Sequence, residues 1–300
     1  MKEEIIALIE QGKFADIRKE IIEMNVVDIA QLFEELDRQK LLVVFRILPK
    51  DIASSVFSYI SNELQKYIVE SISDREIKGI IDELFLDDTI AFLEEMPSNI
   101  VKKVLKNTDE ETRKLINQFL NYPEESAGSI MTIEFVDLKK EMTVKQAIQH
   151  IKETGVDKET INTCYVIDNN RILEGVVSIR KLILSEDSAL VGDIMETDVV
   201  YINTHDDQEK MASLFKKYDF LSMPVVDNER RLVGIVTIDD VVDIIEQANT
   251  EDIQKMAAMQ PSEDKYLKTN VLVLAKHRII WLLVLMVSAT FTGKIIRKFD

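Results

Sequence analysis

Between Asp239 and Asp252 the chain carries six acids (Asp239, Asp240, Asp243, Glu246, Glu251 and Asp252) and no Lys or Arg. At 100° per residue Asp239, Asp243 and Glu246 share one arc of a helix, with Asp240 at its edge, while Val241, Val242, Ile245 and Ala248 are expected to cover the opposite, core face. Carboxylates in such an arc suit hard divalent cations, which take oxygen ligands; Mg²⁺ keeps several waters and needs only one or two carboxylates. The plainer chemistry of the same run is a solvated acidic face, with Thr250 as an N-cap and Glu251 and Asp252 favouring a helix N-terminus. Other chemistry has little support. The single cysteine, Cys164, rules out a disulfide framework and fits a reducing compartment. His150, His205 and His277 have no metal-ligand spacing, and neither a phosphate-cradling Gly-rich loop nor a nucleophile elbow is present. The chain is expected not to be an enzyme.

Charge points the same way. Asp and Glu number 54 against 37 Lys and Arg, a net −17 that repels phosphate backbones and attracts cations, so no nucleic-acid partner is expected. Three hundred residues suit about two domains, and 13 Gly plus Pro favour helix over turn-rich β folds. The first residues, Met1-Lys2-Glu3-Glu4, hold no apolar signal core, which argues against secretion.

The elements that must position these acids have three textures. Residues 1–124 show a period of about twelve: Asp37, Asp51, Asn62, Asp74, Asp87, Ser98 and Asp109 each precede a short apolar run with helical spacing and are expected N-caps. Such short helices are unstable alone, so they must stack into a superhelix. After Pro123, β-rich runs alternate with helices, and the passage occurs twice. Met131, Tyr165–Asp168 and Gly175–Arg180 in one copy correspond to Met195, Pro224–Asp227 and Gly234–Asp240 in the other. The offset is 59 for Asp168/Asp227 and Gly175/Gly234 but 64 for Met131/Met195, which places about five extra residues near Asp157–Ile161 of copy one. Last, Ile279–Gly293 is free of charge for fifteen residues and has basic flanks. That is about 22 Å of helix, or about 27 Å if Lys294 snorkels and the helix reaches Ile296, against about 30 Å of hydrocarbon. A membrane segment is expected there.

The two "IM" starts, the PVVD strand Pro224–Asp227 and GIVTIDD (Gly234–Asp240) resemble a CBS pair. A helical-repeat domain, the segment Glu125–Thr132, the pair, Thr250–Ile253, and an Arg278-x-x-Trp281-Leu282 start together resemble the MgtE family of magnesium channels over essentially the whole chain. The resemblance implies an all-α superhelical repeat domain (1–124), an α/β CBS (Bateman) pair (125–190 and 191–250), a connecting helix (251–277) and the first helix of an α-helical membrane domain (278–297). It also implies a Mg²⁺ channel at the cell membrane, multi-pass at full length, with residues 1–277 cytoplasmic and two copies meeting through the CBS pairs as a homodimer. This part of it would sense Mg²⁺ and close the pore when internal Mg²⁺ is high. The metal positions carried over are Asp87, Glu209, Asp219, Asp240, Asp243, Glu251, Asp252 and the backbone of Gly128. Ser55, Ala91 and Ala248 stand where other members can carry acids, so some sites would be missing or rebuilt from Asp88 or Glu94. CBS pairs often bind an adenine nucleotide such as ATP. Here Phe220 would stack on the base, and Thr237 and Arg180 belong to the same cleft, but Lys181 replaces the ribose-binding acid of copy one and cannot accept that hydrogen bond. The alternative function is a soluble adenine-nucleotide-sensing CBS regulator.

Overall fold

The structure, a computed structural model, describes residues 2–256 and 271–299. Its first part is built from ten short helices: α1 (Lys2–Glu10), α2 (Phe14–Ile22), α3 (Val26–Glu35), α4 (Arg38–Ile47), α5 (Lys50–Tyr59), α6 (Asn62–Ser71), α7 (Asp74–Ile81), α8 (Leu86–Glu94), α9 (Ser98–Asn107) and α10 (Glu110–Phe119). They begin at residues 2, 14, 26, 38, 50, 62, 74, 86, 98 and 110, so the period is twelve throughout. Ile5, Ile17, Ile29 and Leu41, one per repeat, are fully buried, and so are Ile21 and Phe33, four residues further along the same face. Neighbours two apart in sequence stack on each other: α2 on α4, α3 on α5, α5 on α7, α7 on α9 and α8 on α10. This stacking buries stripes that no nine- or ten-residue helix can bury alone.

Most of the expected caps shift by one or two residues. Asp37 and Asp109 do cap, accepting from backbone N–H groups of α4 and α10. The cap positions of α5 to α9 fall instead on Pro49, Ser61, Ser73, Phe85 and Pro97. Asp51, Asp74 and Asp87 lie inside the first turn, where an anion meets the positive end of the helix dipole. A first-turn acid and a capping acid serve the same terminus, which is why the pattern alone does not separate them.

The duplicated passage follows. Copy one comprises β1 (Phe135–Leu138), α11 (Val144–Thr154), β2 (Thr160–Ile167), β3 (Leu173–Ser178) and α12 (Ile179–Leu184), followed by the single turn α13 (Val191–Ile194). Copy two comprises β4 (Ile202–Asn203), α14 (Gln208–Tyr218), β5 (Ser222–Val226), β6 (Leu232–Thr237) and α15 (Ile238–Met256). Each sheet is a parallel pair followed by an antiparallel one, in the orders β1-β2-β3 and β4-β5-β6. The repeat persists into the turns. Asp168 accepts from Asn170 and Ile172 N–H, and Asp227 from Glu229 and Arg231 N–H, with Arg171 and Arg230 at φ 65° and 61°. The five extra residues are a 3₁₀ turn, Gly155–Asp157, and an early start to β2.

The copies exchange their leading segments. Thr132 pairs with Ile235 of β6, and Glu196 pairs with Val176 of β3. A Cβ on Gly234 would stand 2.8 Å from Met131 Sδ, and one on Gly175 would stand 2.8 Å from Met195 Sδ. Each "IM" therefore fills the space left by the other copy's glycine. Phe135, Tyr165, Leu173, Val226, Leu232 and Ile235 form the dry layer between the sheets, where Tyr165 Oη and Ser222 Oγ meet at 2.8 Å.

By contacts the chain separates into two units, one of residues 1–207 with 221–237, the other of 208–220 with 238–300. In the second unit α14 packs on α15, which runs unbroken through Thr250, so that residue is not a cap. Val241 is buried as expected, but Val242 of the expected core face is exposed. α16 (Val271–Phe299) follows. The membrane helix expected at 278–297 is corrected here: among the described residues no helix is long and apolar enough to cross a membrane. The uncharged run of α16, Ile279–Gly293, is itself about 8 Å short of the hydrocarbon thickness. The expected connecting helix, 251–277, falls largely outside the described residues, at 257–270.

Candidate metal centre

The acids of the second unit divide into two groups along α15. Around Asp243, partial burial raises the carboxyl above its ordinary range, and Glu246 and Asp239 raise it further. All three causes act in one direction, so this stretch holds negative charge at a cost that a bound cation would remove. Asp240 lies beside Asp239 on the same first turn and is half-buried.

The second group surrounds Lys255. Its Nζ lies 2.6 Å from Glu251 Oε1, one helical turn earlier. The hydrogen bond to Glu251 raises the ammonium pKa most, and the charges of Glu251, Asp252 and Glu209 add to it. Glu209 opens α14 and Lys255 closes α15, so the start of one helix lies beside the end of the other. Of the expected metal positions, Glu251 is thus paired with a cation from the chain itself, and Asp252 and Glu209 act on that cation through their charge. Asp219, also expected, sits in the left-handed region (φ 54°) just after α14 and is exposed.

The first unit holds the others. Asp87 is half-buried in the first turn of α8, where its Oδ1 accepts from Asp88 N–H at 2.9 Å. Glu94, named as a substitute ligand, is held above its ordinary range by burial and then by Glu124 and Glu95. Gly128 donates its N–H to Thr204 O (2.9 Å), and a Cβ there would collide with that oxygen and with the Tyr122 ring. Its carbonyl thus lies on a buried loop, Ser126–Ser129, whose Ser126 Oγ has no hydrogen-bond partner among the described residues.

Among the described residues no three His, Cys, Asp or Glu side chains converge as a ready-made metal site. Mg²⁺ does not require such a cage, because one or two carboxylates and water suffice, and each acid group on α15 fits that need. Of the nucleotide positions, Thr237 is buried at the end of β6 and Arg180 is exposed on α12. Phe220 is half-buried, with its ring stacked on Tyr218 at 5.3 Å.

Family models match the same partition. The MgtE intracellular N domain covers residues 24–125, and the CBS domain covers 127–186 and 191–247. The cytosolic domain of the Mg²⁺ channel MgtE in complex with ATP superposes with a TM-score of 0.78 at 34% identity, over 81% of this chain and 100% of that one. The chain belongs to the MgtE family. The soluble part of a magnesium transporter matches with a TM-score of 0.78 at 28% identity, over 82% of this chain and 97% of that one. The magnesium transporter MgtE of Thermus thermophilus is 34% identical over 97% of this chain, and that of Bacillus subtilis 33% over 99%. This MgtE-family chain spans 66% and 65% of the length of those relatives.

Spacing alone could not find Lys255. Its link to Glu251 is a regular i,i+4 pair, but Glu209 lies 46 residues away (255 − 209) and arrives only through helix packing. Glu94 and Glu124 are thirty residues apart (124 − 94) and were equally hidden.

Proposed function

We propose that this chain is the Mg²⁺-sensing, cytoplasmic part of a membrane Mg²⁺ channel, and that metal bound to its acids holds the pore closed when internal Mg²⁺ is high. The observation that carries the reading is the Asp243 group, where burial and two like charges raise a carboxyl on the helix that follows the second CBS sheet. A divalent cation removes that repulsion, so any state that gathers these acids binds metal more tightly and is populated by it. Asp240, Asp243, Glu251, Asp252 and Glu209 are the proposed ligands in the second unit, together with Asp219 just after α14. Asp87 and the Gly128 carbonyl are proposed in the first. The relatives' magnesium transport supports the cargo. Pairing through the CBS domains into a homodimer is part of the proposal, supported by Ile183 and Leu184 of α12, which are 65% and 79% exposed.

Calorimetric titration of the chain with MgCl₂ at constant ionic strength tests the sensor. Binding should be weakened, with fewer sites titrated, in a variant carrying Asp240→Asn, Asp243→Asn, Glu251→Gln and Asp252→Asn, which keeps side-chain size and removes charge. Undiminished binding in that variant would show that these acids are only a solvated face.

A second ligand has its own support. A 34%-identical neighbour is a complex with ATP, and we propose that the CBS pair here binds an adenine nucleotide, with Thr237, Arg180 and Phe220 as the proposed contact residues. Titration with ATP, repeated on Thr237→Val, tests it. Equal affinity of the two proteins would refute the assignment of Thr237.

A further inference from the structure

The helical repeats contain a cavity of about 220 Å³ where α4, α5 and α7 meet. On a chain of net charge −17 its polar lining is basic: Arg46, Lys50 and Arg75 against a single acid, Glu76. That acid is already engaged. It closes the capping box with Ser73 and accepts from Arg46 Nε at 3.1 Å, and the Ser73 hydrogen bonds hold its carboxyl below the ordinary range. Arg46 also reaches Ser71 O. Lys50 and Arg75 have no hydrogen-bond or ion-pair partner among the described residues, so two cations face the cavity unmatched.

Two backbone features add to them. α5 starts at the rim, and Pro49 at its cap position supplies no side-chain acceptor. The first helical bond there is Ala53 N–H to Pro49 O, so the preceding N–H groups are left at the positive end of the dipole. Gly79 lies inside α7, where glycine costs helix stability relative to alanine. A Cβ on it would stand 3.6 Å from Lys50 Cε, an ordinary contact, so packing does not demand glycine there. What the missing methyl provides is room. Phe45, Leu48, Ala53 and Ile80 make the floor apolar.

We propose that this cavity binds a phosphate monoester with a compact apolar body. The volume equals roughly seven waters at about 30 Å³ each, which suits a small organic anion rather than a bare ion. Unpaired Lys and Arg with a helix N-terminus match a dianionic head, and the apolar floor matches the body. None of the lining residues is among those proposed above for metal or nucleotide.

Phenyl phosphate is the probe, titrated into the whole chain by calorimetry with phenol and inorganic phosphate in parallel. Binding with a Kd near or below about 1 mM is expected for phenyl phosphate and for neither of the others. Lys50→Gln with Arg75→Gln should weaken it at least about tenfold, and because both side chains are exposed and unpartnered the fold should be untouched. Gly79→Leu, checked by circular dichroism, should abolish it by filling the cavity. Absence of binding at about 10 mM, or full affinity in the Lys50/Arg75 variant, overturns the proposal. Inorganic phosphate binding as tightly as phenyl phosphate overturns the part assigned to the floor.

Discussion

The exchange between the CBS copies makes one substitution unusually informative. In Gly234→Ala the new Cβ would lie 2.7 Å from Thr132 O, 2.8 Å from Met131 Sδ and 2.9 Å from Met131 Cγ. The thioether is flexible and can move aside. The carbonyl cannot, because Thr132 exchanges two backbone hydrogen bonds with Ile235, at 2.8 and 2.9 Å. Forcing a methyl between them costs about 1–3 kcal/mol of overpacking, and each strained hydrogen bond adds up to about 1 kcal/mol. The total of about 1–5 kcal/mol corresponds to a fall in melting temperature of roughly 2–20 °C for a body of this size. Differential scanning calorimetry of the 300-residue chain reads this directly. The control is Gly79→Ala, whose Cβ meets only an ordinary contact and whose helix gains propensity; it should melt at or slightly above the parent. A Gly234→Ala protein melting within about 1 °C of the parent would show that the leading segment does not lock onto β6, and would refute the exchange as a source of stability.

Three further outcomes follow from charge and burial. Burial pushes the Cys164 thiol up to about 12, so Ellman's reagent at pH 8 should leave it unlabelled until denaturant is added; prompt labelling of the native chain would contradict its placement. A carboxyl raised in the folded state costs stability once pH climbs past the ordinary Asp range, so Asp243→Asn should raise the melting temperature at neutral pH without Mg²⁺. That gain should vanish below about pH 4, where both states are protonated, and a gain independent of pH would refute the electrostatic cause. Lys255→Gln removes the ammonium bonded to Glu251 and should tighten Mg²⁺ binding in calorimetry; unchanged or weaker binding would show that Lys255 does not compete with the metal.

Much of this architecture was legible because each element repeats a local rule. The twelve-residue period was visible in the apolar runs, since every helix must present the same stripe to its neighbours. The duplication was visible in the 59-residue offset because both hairpins use the same Asp to organise the same turn. Two caps were misplaced because Pro49 and Pro97 hold extended backbone without any side-chain acceptor, a role that a search for Ser, Thr, Asp or Asn passes over. Ser61 and Ser73 each precede a second cap-type residue, Asn62 and Asp74, that competes for the reading. Thr250 was read as a boundary on the strength of the acids after it, yet nothing in its surroundings breaks the helix. The packing of Met131 on Gly234 was hidden because it joins residues 103 apart (234 − 131) through a backbone approach that only glycine permits.

The continuity of α15 also decides how its acids can act. Asp240 and Glu251 are eleven residues apart on one unbroken helix, about 16 Å at 1.5 Å per residue. Mg²⁺ holds its oxygens at about 2 Å, so no single ion spans that distance, and the proposed ligands on this run would have to form at least two sites. Their electrostatics differ. Around Asp243 every resolved influence raises the carboxyl, and a cation arriving there relieves repulsion. Around Glu251 a tethered ammonium already supplies positive charge, and a cation arriving there must displace it. At equal ligand geometry the first site fills at lower Mg²⁺ than the second. On the proposed reading, a helix carrying both would respond to magnesium in two stages, the second set by how firmly Lys255 holds its place.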